Sequence, residues 1–96
     1  MPKYVLTRKA VNDLSRIWNY TFETWSEKQA DRYYQMLIEA CEHVAKDPQT
    51  GKEYREIGPH IMGHRIGKHI VFYRIAKPNV ISLRILHEKM DLKSSI

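Results

Sequence analysis

The run from His69 to Ile75, the turn residues Ala76-Lys77-Pro78-Asn79 and the run from Val80 to His87 constrain this chain more than any other stretch. They read as two apolar strands joined by a tight turn. Arg65, Arg74 and Arg84 and several histidines lie along or beside them. Apolar strands rarely tolerate cations unless these are paired, solvated on one face or used. The sheet that closes the core therefore also presents basic side chains, which points to an acidic partner.

Ninety-six residues make one domain, 1–96, with 88–96 as a C-terminal tail. A chain this short buries only about 60–70% of the surface its unfolded form exposes, so it has one core and little spare stability. A hydrophobic content of 43% is that of a globular domain. The net charge of +5 favours a polyanion, an anionic membrane face or an acidic protein, and is equally that of a plain basic surface. The lone Cys41 excludes an internal disulfide and any multi-cysteine metal site, and fits the cytoplasm. Lys3, Arg8, Lys9, Asp13 and Arg16 argue against a signal peptide. No apolar run reaches the ~18 residues of a membrane span.

Tyr4 to Leu6 read as a first strand, and Thr7 as the cap of a helix. Val11, Leu14, Trp18, Phe22 and Trp25 then form an apolar stripe at helical spacing. Ser26 followed by Gln29 matches a capping box and starts a second helix, with Ala30, Tyr34, Leu37, Cys41 and Val44 as its stripe. With almost no linker, the two helices form an antiparallel hairpin. Asp47-Pro48 ends the second helix, and residues 48–60 read as a surface loop. Ile61 to Ile66 is a candidate strand, and Gly67-Lys68 a two-residue hairpin turn.

The plan is α+β: an N-terminal strand, the helix hairpin, then a three-stranded antiparallel meander with the helices on one face. Strict alternation puts Ile81, Leu83 and Ile85 on one face of the last strand and Ser82, Arg84 and Leu86 on the other. Neither of the last two strands is cleanly two-sided. A partner chain or the tail is expected over the outer face.

The histidines at 43, 60, 64, 69 and 87 lack the converging spacing of a metal site, and no metal or other cofactor is expected. Arg65, Arg74, Arg84 and His87 form a candidate basic patch, since guanidinium groups take phosphate or carboxylate in two-point contacts. In RNA cleavage the arginines would stabilise the charged transition state, and His87 or Tyr73 would act as base. The plainer alternative pairs Arg74 and Arg84 with Glu53, Glu56 or Glu88. Trp18, Trp25, Tyr33 and Tyr34 either stack on bases or pack the hairpin.

Three groups of residues carry a family resemblance. They are Tyr4-x-Leu6-Thr7-x-x-Ala10-x-x-Asp13-Leu14-x-x-Ile17-Trp18; Trp25-Ser26-x-x-Gln29-Ala30 with Pro48-x-x-Gly51; and His69-Ile70-Val71-Phe72-Tyr73-Arg74 with Arg84-Ile85-Leu86-His87-x-x-Met90-Asp91. Together, in order, they resemble the ParE branch of the RelE/ParE toxin superfamily over nearly the whole chain. The resemblance implies the toxin of a type II toxin–antitoxin system, a ParD-like antitoxin, inhibition of DNA gyrase with blocked replication, and a helix hairpin on a small antiparallel sheet. It implies a protein-binding inhibitor rather than an enzyme, held in a toxin–antitoxin hetero-oligomer.

On that reading Arg65, Arg74, Arg84, His87 and Met90 are candidates to meet the target. Leu14, Trp18, Tyr34, Ile38 and Phe72 are candidates to meet the antitoxin. The rival is a ribosome-dependent mRNA endoribonuclease, as in the RelE branch, with His87, Arg84, Arg65 and Tyr73 as its site. That branch ordinarily carries a tyrosine or histidine near its C-terminus. Here no aromatic residue follows Tyr73, although His87 is available.

Overall fold

The structure is a computed structural model and describes residues 3–90; the expected tail from Asp91 onward lies outside the described residues. Its elements are β1 (Tyr4–Leu6), α1 (Arg8–Thr24), α2 (Glu27–Lys46), β2 (Lys52–Glu53), β3 (Met62–Ile66), β4 (His69–Ala76) and β5 (Asn79–His87), with one 3-10 turn at Pro48–Thr50.

Both helices start where side-chain oxygens replace missing backbone partners. Thr7 accepts the amide of Ala10 at 3.1 Å. Ser26 accepts that of Gln29 at 3.1 Å. Trp25 caps the end of α1, so the chain reverses within two residues and the helices lie side by side. Asp47 ends α2 ahead of Pro48. The β3–β4 hairpin turns at Gly67, whose φ of 59° favours glycine and where a β-carbon would lie only 2.7 Å from the Tyr33 hydroxyl.

The sheet has five strands in the order β1-β5-β4-β3-β2. The expected antiparallel meander is β3-β4-β5, and two features extend it. The polar segment after α2 contributes β2, antiparallel to β3 at the edge. β1 pairs with β5 in parallel, Tyr4 opposite Val80 and Leu6 opposite Ser82, so the sheet is mixed and not wholly antiparallel. A crossover through both helices returns the chain beside its own start, and parallel pairing needs such a long connection.

One face of the sheet carries the helices. Val71 and Ile85 pack there with Leu14, Leu37, Ala40 and Cys41. Tyr73 and Val80 pack with Val44 and Ala45. The opposite face buries Ile70, Phe72 and Leu86 beneath Tyr54, Ile57 and Ile61. The chain therefore covers much of its own outer face with the segment between β2 and β3. That segment is a lid over a second small core, where a partner chain or the tail was expected.

The pairing also slips between Phe72 and Tyr73: Phe72 faces Arg84 while Tyr73 faces Ser82. One extra residue, Leu83, breaks the alternation on β5. Ser82 and Ile85 consequently both serve the helix side, Ser82 through its hydroxyl contact to the Cys41 sulfur. No helix among the described residues is long and apolar enough to cross a membrane.

Candidate functional site

The arginines singled out from sequence have three different fates. Arg84 Nε donates to Asp13 Oδ2 at 2.8 Å and its Nη2 to Asp13 Oδ1 at 3.0 Å. The side chains are 15% and 6% exposed, so this is an internal pair that fastens β5 to α1. It is not Glu53, Glu56 or Glu88 that Arg84 meets there. The Asp13 hydrogen bond raises the guanidinium pKa still further. Arg65 donates to Glu88, whose carboxyl it holds below the usual range. Arg74 is exposed on β4 opposite Ile81. The structure thus divides the expected patch: Arg84 is committed internally, Arg65 is partnered at the surface, and Arg74 faces solvent.

Tyr73 is wholly buried. Its hydroxyl donates to the Pro48 carbonyl at 2.7 Å and accepts the Gly51 amide at 3.0 Å. Burial pushes its pKa up. A phenol so placed ties the end of α2 to the sheet and is closed to substrate. Met90 is exposed just beyond β5.

The antitoxin candidates also separate. Leu14 and Phe72 are buried, and Ile38 is half-buried against the main core. Trp18 and Tyr34 share a shallow depression on the hairpin with Asp31. Trp18 Nε1 donates to Asp31 there at 2.9 Å, and its ring stacks on Phe22 at 5.2 Å. Among the large apolar side chains, Trp25 at 73% exposure and Tyr20 at 68% stand furthest into solvent.

His87 belongs to a different place. Strand pairing puts it opposite His69 at the end of the sheet, with ring centroids 5.3 Å apart. Tyr33 of α2 reaches this pair: its hydroxyl lies 2.7 Å from His69 Nδ1 and accepts the Lys68 amide at 3.0 Å. Burial, reinforced by the neighbouring His87, pushes the His69 pKa down to about 4. His69 is therefore neutral at physiological pH, and the hydroxyl proton of Tyr33 can go to Nδ1.

These residues form one end of a groove of about 690 Å³ between the helix hairpin and the sheet. Arg16, Tyr20 and Trp25 rise along its α1 wall, and Lys68 stands at the β3–β4 turn. A second imidazole pair, His43 with His64, lies 5.5 Å apart between α2 and β3. Among the described residues no group of three or more histidine, cysteine, aspartate or glutamate side chains could hold a metal ion. In the sequence Trp25, Tyr33 and His87 stand as three separate candidates. Arg16 and Tyr20, one helical turn apart, were the signal for the wall; nothing local announced Lys68 and His69 as its opposite side.

A helix hairpin laid across a mixed five-stranded sheet is the fold of RelE/ParE-class toxins. The chain superposes with a TM-score of 0.76 on a chain of the chromosomal ParDE toxin–antitoxin system from P. aeruginosa, at 19% identity over 91% of this chain and 95% of that one. It superposes at 0.70 on a chain of the RelBE2 toxin–antitoxin complex from Mycobacterium tuberculosis, at 22% identity over 92% and 100%. Sequence narrows the class. Residues 4–92 match the family described as ParE toxin of type II toxin-antitoxin system, parDE. The chain is 32% identical to Toxin ParE1 of M. tuberculosis strain H37Rv over 98% of its own length and 97% of that protein. It is 31% identical to Toxin ParE1 of Caulobacter vibrioides over 100% and 99%. This chain belongs to the ParE toxin family of type II toxin–antitoxin systems.

Proposed function

We propose that this chain arrests growth in the cytoplasm by inhibiting DNA gyrase, and that a ParD-like antitoxin neutralises it in a hetero-oligomer. The observation that carries this reading is the match to the ParE toxin family across residues 4–92. The surface supports it. Exposed aromatic groups, basic residues and Met90 lie where macromolecules can reach them. The rival nuclease set is weakened by its own geometry, because Tyr73 is sealed under Pro48 and Arg84 is held by Asp13.

For gyrase, Arg65, Arg74, His87 and Met90 remain the proposed contacts. For the antitoxin, Trp18, Tyr34 and the exposed edge of Ile38 are the proposed docking line, with the apolar face of a helix laid along the hairpin. A segment of that kind orders as it binds.

The test is a supercoiling and cleavage-complex assay with purified gyrase. The protein is expected to stop supercoiling and to leave broken DNA when gyrase is denatured, and added antitoxin is expected to restore activity. Intact supercoiling at molar excess, with cleavage of ribosome-bound message, would replace this reading by the nuclease one.

A further inference from the structure

The groove between α1 and the His69–His87 rung shares only His87 with the proposed gyrase contacts, and the rest of its lining serves neither target nor antitoxin in that reading. Tyr33 engages Nδ1 of His69. The Lys89 amide donates to Nδ1 of His87 at 3.1 Å. Where Tyr33 donates to Nδ1, the neutral His69 ring carries its proton on Nε2, as the neutral His87 ring does beside the Lys89 amide donor. Among the described residues no buried side-chain nitrogen lacks a partner, and neither Nε2 is hydrogen-bonded to any of them. Each Nε2 therefore meets solvent, and both rings line the groove.

The other donors agree in sign. Arg16 and Lys68 line the same groove, and among the described residues its lining contains no carboxylate. The nearest acid in sequence, Glu88, is drawn to Arg65. Two imidazole N–H groups, an ammonium and a guanidinium are more donors than the two oxygens of a carboxylate use fully. They match the three terminal oxygens of a phosphate monoester. The remaining wall is aromatic and exposed: Trp25 and Tyr20 offer flat faces of the kind on which nucleobases stack. The groove, at about 690 Å³, falls in the size range of small-ligand sites.

We propose that this groove binds a nucleotide, with the phosphate held by His69, His87, Lys68 and Arg16 and the base against Trp25 and Tyr20. The same chemistry is offered by a free mononucleotide and by one nucleotide of a single strand. The site is separate from the Trp18–Tyr34 depression and stands whether or not gyrase is the target.

The experiment titrates the full chain with adenosine 5′-monophosphate, adenosine, inorganic phosphate and a ten-residue oligoadenylate, by calorimetry and tryptophan fluorescence. Saturable binding of the monophosphate is expected, with adenosine and phosphate each weaker by about tenfold or more, since each keeps only half of the contacts. Trp25→Leu and His87→Gln are expected to weaken the monophosphate by about tenfold each, and Tyr34→Phe to leave it unchanged. Trp25 and His87 lie outside the buried core, so both variants should fold, and circular dichroism verifies it. Oligoadenylate binding well above the monophosphate assigns the site to single strands; equal affinity per site assigns it to free nucleotides. No saturable binding up to roughly 10 mM, or binding that ignores both substitutions in folded protein, overturns the proposal. Capture of an acidic peptide in place of the monophosphate overturns it as well.

Discussion

The Asp13 carboxylate on α1 holds the Arg84 guanidinium on β5 across 71 positions of sequence, at 2.8 and 3.0 Å, and takes the Ile85 amide at 3.0 Å as well. β1 ends at Leu6, so it pairs with β5 only as far as Ser82. Thr7 carries the contact on to the Ser82 and Leu83 carbonyls, and Asp13 takes over from there at Arg84 and Ile85. Removing one partner of such a pair leaves the other charge buried. Asp13→Ala is expected to cost about 3–5 kcal/mol in urea unfolding. The double change Asp13→Leu with Arg84→Met is expected to be milder than the sum of the singles, because no charge is then stranded.

Tyr73→Phe separates a structural from a catalytic tyrosine. The hydroxyl serves Pro48 and Gly51, and its loss leaves both without that partner. A loss of about 1–3 kcal/mol in stability is expected. Growth arrest should persist at temperatures where the variant stays folded. A folded but harmless variant would restore the tyrosine to the nuclease reading. Gly51→Ala should destabilise similarly, since a β-carbon there would collide with the same hydroxyl and with the Gly63 carbonyl at 2.8 Å.

Local signals were the legible ones. Thr7, Ser26 and Asp47-Pro48 mark helix ends because caps and prolines act within a few residues. Gly67 marks its turn for the same reason. What escaped reading depends on distant partners. The parallel β1–β5 pairing is decided by where the hairpin returns the chain. The slip at Leu83 lets Ile85 reach the core while its amide meets Asp13, and no alternation rule shows that. Tyr54, Ile57 and Ile61 are spread among glycines and prolines, so their shared role as a lid over Phe72 has no period to betray it. The site followed suit: arginine chemistry was visible, but not that Asp13 had already taken Arg84.

Acid should weaken the fold through His69. Its pKa is about 4 in the native protein against an ordinary 6.5. Between those values the unfolded chain binds a proton that the native chain refuses. The contribution is therefore complete above pH 6.5 and drains away as pH falls toward 4. His64, lowered by burial and by His43, adds in the same direction. His87, Glu88 and Asp13 act on the His69 charge, and Tyr33 bonds its ring. A drop of about 2–3 kcal/mol from pH 7.5 to 4 is expected from His69. Urea midpoints across that range should fall in the wild type and fall less in His69→Gln.

Met90 is exposed immediately after β5, and its amide is tied to the His87 carbonyl at 3.1 Å. Every strand pairing is complete by His87. A chain ending at Lys89 is therefore expected to keep its circular dichroism spectrum and lose most of its growth arrest. Full toxicity of the shortened chain would move the target contacts away from this end.

Antitoxin binding should appear as stability. A partner that binds only the folded toxin raises its unfolding free energy by RT ln(1 + [L]/Kd), about 2.7 kcal/mol at a hundredfold excess over Kd. For a domain of this size that is a rise of about 10–20 °C in melting temperature. Trp18 and Tyr34 share one depression on the hairpin, and Trp18 is anchored there by Asp31. Tyr34→Ala should therefore reduce the rise without lowering the melting point of the free toxin by more than a few degrees, since Tyr34 is 39% exposed. Trp18→Ala should reduce the rise further and also cost the toxin its Phe22 stacking. An undiminished rise in both variants would place the antitoxin elsewhere on the fold, and identical melting with and without antitoxin would remove the partnership.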